Sequence, residues 1–292
     1  MGTAIILAVL ADILFAVSGV LQQDAASSTD PTYSLKLKLL TKLFSSKMWF
    51  IGFALSLIGY FASFMALEYG SLTLVESLMI LNFLFALPLA DIIKKRGFNS
   101  QELFFGAVTV SGLVLFLISA DAKDITASYT TSKLILSVLI LGGAVACFTL
   151  ISTYSKSINI KTFWLASGGS LMNTLMALEI KQIINNMNKA SNSSALAKLF
   201  ESPGTYLLIP TFIIALILIQ SAFQSEKLSW SLPTVNLINP LAATIIAISI
   251  FNGSIRSSWW ALGFEFVGVA LVTYGIIKLS SGKSVVVRTA AN

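Results

Sequence analysis

Nine stretches of the chain stay apolar for about 20 residues each, and polar residues gather between them. A helix rising 1.5 Å per residue needs roughly that length to cross about 30 Å of hydrocarbon. The stretches Thr3–Gln22, Met48–Leu67, Leu72–Asp91, Glu102–Ala120, Leu134–Thr153, Thr162–Lys181, Thr205–Phe223, Ser231–Phe251 and Ser258–Leu279 therefore predict an all-α membrane protein of about nine transmembrane helices. The sixth is the least apolar, rich in Gly and Ser and carrying Asn173 and Glu179. Two of the intervening segments are long and polar, Gln23–Lys47 and Gln182–Gly204, and the others are short. Pro31, Pro203 and clustered Ser and Asn mark the long ones as turns or short surface helices.

The pattern repeats. Ala66 falls on Ala222, Leu72 on Leu228, Ser77 on Pro233 and Gly112 on Gly268, each 156 residues on (222−66, 228−72, 233−77, 268−112). One gap-free step across two predicted helices is what an internal duplication leaves. It divides the chain into a four-helix repeat over 1–122, a linker helix within 123–160, and a second four-helix repeat with a short polar tail over 161–292. A single linker span inverts the second repeat relative to the first. Inverted repeats enclose a central site reachable from either face in turn, the architecture of a secondary transporter. A non-transporting membrane scaffold, its duplication kept only for packing, is the reading from another class.

Composition agrees with the spans. Apolar residues make up 56% and charged residues 11%, with a mean hydropathy of +0.85, where soluble domains are near 25% charged. The bilayer is thus the main partner, and the net charge of +6 points to membrane orientation rather than nucleic acid. Thirteen of the 19 Lys and Arg fall on one side of the predicted topology, among them Lys94, Lys95, Arg96 and Lys227, and six fall on the other. The excess side is cytoplasmic by the positive-inside rule, leaving the N-terminus outside a plasma or inner membrane and the C-terminus within. The first helix lacks the basic start of a signal peptide and carries Asp12, so it reads as a retained span. With no His, one Cys (Cys147) and no phosphate-cradling Gly loop, no enzyme and no cofactor is expected. Asn192 and Asn252 open glycosylation sequons by pattern, and a homodimer is compatible with the chain.

Polar groups inside the spans are the candidate binding residues, because each is costly there. Asp12 lies mid-way along the first span, on a small and polar stripe with Ala8, Ala16, Gly19 and Gln23. A buried carboxylate of that kind can exchange a proton for a cation. Glu76 sits one turn inside the third span as a gate or a cation attractor, and Asn82 lies near that helix's middle. Asn173 marks the sixth. In the eighth, Pro233, Asn236, Asn239 and Pro240 share a face, combining freed carbonyls with carboxamides that line a cavity. Glu265 lies one turn before Gly268 in the ninth, with close helix packing as its other role. Carboxylates without Lys or Arg in the same spans predict a cationic cargo or proton coupling, a small solute otherwise. Helices one, three, six and eight are expected to line the cavity.

Ala16-Val-Ser-Gly-Val-Leu-Gln-Gln-Asp-Ala-Ala26, Gly70-Ser-Leu-Thr-Leu-Val75 and Leu228-Ser-Trp-Ser-Leu-Pro-Thr234 with Asn239-Pro-Leu241 resemble segments of the drug/metabolite transporter superfamily. Within it the chain looks most similar to bacterial relatives of the NIPA-type magnesium transporters. The resemblance implies the inverted-repeat fold and a transport role but not a cargo, and a magnesium or other divalent cation transporter of the NIPA type is the alternative reading. Asp12 matches the first-helix carboxylate of the superfamily's small multidrug exporters. Superfamily exporters usually have ten helices, where nine are predicted here.

Overall fold

The structure, a computed structural model, describes residues 2–70, 74–75, 78, 81–93, 100–120, 130–188, 195–224, 228–251 and 258–281. Their helices are α1 (Gly2–Ser27), α2 (Leu37–Phe44), α3 (Lys47–Tyr69), α4 (Leu81–Ile93), α5 (Ser100–Ala120) and α6 (Thr131–Tyr154). They continue as α7 (Ile158–Asn188), α8 (Ala195–Glu201), α9 (Pro203–Phe223), α10 (Leu228–Ser249) and α11 (Trp259–Ser281). No strand occurs among the described residues. Four helices, α1, α3, α6 and α9, are long and apolar enough to cross a membrane, and 84–93, 103–116 and 259–275 are shorter apolar helical stretches. This is the build of a multi-pass membrane protein: in lipid a helix satisfies its own backbone groups, so apolar side chains can face outward without cost.

The two long polar segments each hold a short helix. Before α3, Ser46 caps the helix by accepting from the Trp49 amide at 3.4 Å, and before α9, Pro203 opens the first turn after Ser202. α2 turns Leu39 and Leu43 fully inward against α3 and α9. The preceding loop is pinned to the end of α9. Leu35 sits in the left-handed region at φ 61°, its N–H donating to Ser221 Oγ at 2.8 Å. Gln224 Nε2 donates to Thr29 Oγ1 and to the Asp30 carbonyl, both at 3.0 Å.

α7 is the centre of the molecule. It runs well past the 162–181 span read from the sequence and is buried almost continuously from Leu165 to Ile180. α6, α9 and α10 all pack on it, and α3 touches it. Its low hydropathy follows: a helix facing protein rather than lipid can carry small and polar residues such as Gly168, Gly169, Ser170 and Thr174. α1 packs on α3 and α4 as α7 packs on α9 and α10. The remaining tight pair, α5 with α11, meets backbone to backbone. A Cβ on Gly268 would stand 2.6 Å from the Gly112 carbonyl oxygen, and one on Gly112 2.7 Å from Leu271 Cβ. Only glycine permits that approach.

Candidate functional site

Between these helices lies a cavity of about 120 Å³, walled by α1, α3, α4, α7, α9 and α10. At one end a chain of polar side chains crosses it. The Trp49 indole N–H donates to Gln220 Oε1 at 2.9 Å, Gln220 Nε2 donates to Gln22 Oε1, and Gln22 Nε2 donates to Ser18 Oγ at 2.6 Å. The indole can only donate, and that fixes both carboxamide orientations down the line. On α10, Asn239 Oδ1 accepts from Thr174 Oγ1 at 2.6 Å, and Ser170 Oγ donates to the Val235 carbonyl at 2.5 Å. On α7, Asn173 Oδ1 faces the Tyr60 hydroxyl at a long 3.5 Å. Phe15, Tyr60 and Phe212 form the apolar wall, Tyr60 meeting each of the other two edge to face at 4.9 and 5.9 Å between centroids. At the opposite end Lys181 Nζ donates to the carbonyls of Leu67 and Gly70, both at 2.5 Å, and so binds the last turn of α3 to α7. A cation there meets the orphan carbonyls and the negative end of the helix dipole.

Asn82, Asn173 and Asn239 line the cavity together, one each from α4, α7 and α10. Asn236 falls on α10 three residues before Asn239, with its side chain outside the described residues, as is Glu76 altogether. Asp12 is fully buried in α1 with the rest of its small-residue stripe, but it is not among the residues lining the cavity. Glu265 is half-buried on α11, away from the cavity, with a buried Oε1. Its counterpart Thr109 is fully buried and bonds back to the Phe105 carbonyl at 2.8 Å, against Gly275. All four helices expected to line the cavity contribute to it, and α3 and α9 contribute as well.

Sequence reasoning passed over Gln22, Gln220, Tyr60 and Lys181. Gln220 was findable, being a lone carboxamide in an otherwise apolar run. Glu179, noted only as a polar blemish, is fully buried at the α7–α9 contact. Its Oε1 accepts from Thr211 at 2.8 Å and its Oε2 has no hydrogen-bond partner among the described residues. One turn along, Gln182 Oε1 accepts from Ser202 Oγ at 2.6 Å and from the Gly204 amide at 3.0 Å, capping the start of α9.

Compared with known proteins, the chain is 20% identical over 289 residues to an uncharacterized protein of Corynebacterium glutamicum, covering 95% of this chain and 96% of that one. No family model matches it, and no solved structure does.

Proposed function

We propose that the protein is a secondary transporter of the drug/metabolite transporter type, carrying a small solute through this cavity by alternating access. Its two four-helix repeats are inverted and joined by α6. The carrying observation is the recurrence of one step in helix starts and contacts. α7 begins 156 residues after α1 (158−2) and α9 begins 156 after α3 (203−47), the step found in the sequence. Gly112 and Gly268, related by the same step, face one another. A two-fold axis in the membrane plane brings equivalent positions together in this way where it passes between α5 and α11. The α1–α3–α4 and α7–α9–α10 groups then lie on either side of the cavity as the halves that rock.

The ends of α1 and α9 near Gln22 and Gln220 form the cytoplasmic closure, in keeping with the excess of basic residues on that side. The Lys181 contact with the end of α3 forms the outer closure. The magnesium alternative draws no support from the described residues, among which no three His, Cys, Asp or Glu side chains come together.

The test is topological. α2 and α8 occupy equivalent places, so inversion puts them on opposite faces. In a Cys147→Ser background, Glu201→Cys reacts with an impermeant maleimide on intact cells, whereas Lys42→Cys reacts only after permeabilisation; both positions are exposed. Labelling from one side would sink the inverted repeat and the transport reading built on it.

A further inference from the structure

We propose that the exposed face of α2 is a docking surface for the headgroups of anionic phospholipids. The proposal does not depend on what the cavity carries.

Placement comes first. α2 ends at Phe44, and α3, a helix long enough to cross the membrane, begins at Lys47. Gln22 of α1, Trp49 of α3 and Gln220 of α9 are joined by hydrogen bonds, so three membrane-length helices have neighbouring ends there. α2 packs on two of the three, α3 and α9. A helix so placed lies where hydrocarbon gives way to headgroups.

Its surface is divided to suit that level. Leu39, Leu40 and Leu43 turn inward. On the outward side Leu37 and Phe44, seven residues apart, share one edge and are 66% and 47% exposed. Lys38 and Lys42, four apart, share the other edge, and both are exposed. Exposed Lys36 stands just before the helix, and exposed Lys47 and Met48 open α3. An apolar edge beside a basic one is the surface of a helix lying along a membrane, with acyl chains against the first and anionic phosphates against the second.

The charges are available to a lipid. None of the four lysines forms an ion pair among the described residues, and Lys38 rests over the Tyr33 ring at 4.8 Å. Asp30, exposed in the preceding loop, feels Lys36 and Lys38, and α2 itself has no acidic residue. The base is anchored as well. The Leu35 N–H donates to Ser221 Oγ, Gln224 Nε2 holds Thr29 and the Asp30 carbonyl, and Leu39 and Leu43 are fully buried. A helix fixed in this way has little left to order when a headgroup arrives. Because it touches both α3 and α9, lipid bound on it favours the folded chain and is read as stability.

The probes are dioleoyl phosphatidylglycerol, dioleoyl phosphatidylcholine and glycerol 3-phosphate, added to the purified full chain in detergent. Phosphatidylglycerol should raise the unfolding midpoint at about tenfold lower concentration than phosphatidylcholine, since each engaged lysine is worth roughly fivefold. Glycerol 3-phosphate, without chains for the Leu37–Phe44 edge, should do nothing. The preference should vanish in 1 M NaCl, where the screening length falls to about 3 Å from about 10 Å at 0.1 M. The double variant Lys38→Gln, Lys42→Gln should keep the lipid-free midpoint, both side chains being exposed, and lose the preference. The pair Lys156→Gln, Lys161→Gln, between α6 and α7, removes the same charge elsewhere and should keep it. The proposal is overturned if phosphatidylcholine stabilises as well as phosphatidylglycerol, or if glycerol 3-phosphate alone reproduces the effect. It is overturned equally if the α2 double variant retains the preference or the Lys156, Lys161 pair loses it as fully. Light scattering in which the α2 variant splits a dimer, with no lipid preference in the wild type, would assign this face to a second copy instead.

Discussion

Replacing Gly268 with Ala places a Cβ 2.6 Å from the Gly112 carbonyl oxygen, 2.8 Å from the Phe116 amide nitrogen and 2.9 Å from Phe116 Cβ. Ordinary contact begins near 3.4 Å, so the first overlap is 0.8 Å (3.4−2.6). Two of the three atoms are backbone and cannot rotate aside; α5 and α11 must part. Overpacking of this kind costs about 1–3 kcal/mol, and a gap of that order forfeits a quarter to a half of each remaining contact along the seam. Helix propensity works the other way, since Ala is better than Gly by up to about 1 kcal/mol. Gly142 and Gly143 on α6 isolate that gain, because a Cβ at either meets nothing within 4 Å. SDS titration of the protein in mixed micelles, followed by circular dichroism, should rank Gly142→Ala at or above wild type and Gly268→Ala below it. The Gly112→Ala, Gly268→Ala double variant should cost less than the sum of the singles, because helices already parted by one Cβ have room for the other. Gly268→Ala at wild-type stability, or strict additivity in the double variant, would refute the close approach.

Two further outcomes are expected from single side chains. Thr211→Val removes the donor to Glu179 and leaves a buried carboxyl oxygen unmet, at about 1–3 kcal/mol; in a Glu179→Leu background the same change should cost little, which the same titration reads as a coupling energy. Asp30 is held below its usual 3.8 by the Thr32 backbone amide first and the Thr32 hydroxyl second, with Lys36 and Lys38 adding to it. Its contribution is therefore present above that unfolded value and lost only as pH falls through the lower folded one, so the stability gap between wild type and Asp30→Asn should be constant from about pH 5 to 8 and close in stronger acid.

Much of the helical layout was legible because lipid enforces it: a span needs length and apolarity, and those are countable in sequence. α7 was the hardest to bound for the opposite reason. Buried in protein on nearly every side, it is free of the demand for apolar residues that marks α1, α3, α6 and α9. The three asparagines that meet in the cavity were readable as polar residues in apolar runs. What one chain of letters did not carry was direction. Asp12 and Glu179 look as eligible as Asn173 on the page, and only packing turns them away from the cavity. Lys181 was legible as the end of a span, not as the group that binds the last carbonyls of α3. The relay from Trp49 to Ser18 joins residues up to 202 positions apart (220−18), and no periodicity reports such a link.

The seam between α5 and α11 also sets an order in time. Gly112 and Gly268 are separated by 156 residues, and synthesis proceeds at about 5–20 residues per second, so roughly 8–30 s pass before α5 can meet its partner. During that interval α5 stands without the partner that Gly112 fits, while α1 and α3 already have one another. Assembly of this protein is accordingly a docking of α5 that waits on α11, and the newborn chain spends that wait with the Gly112–Gly268 contact still to be formed.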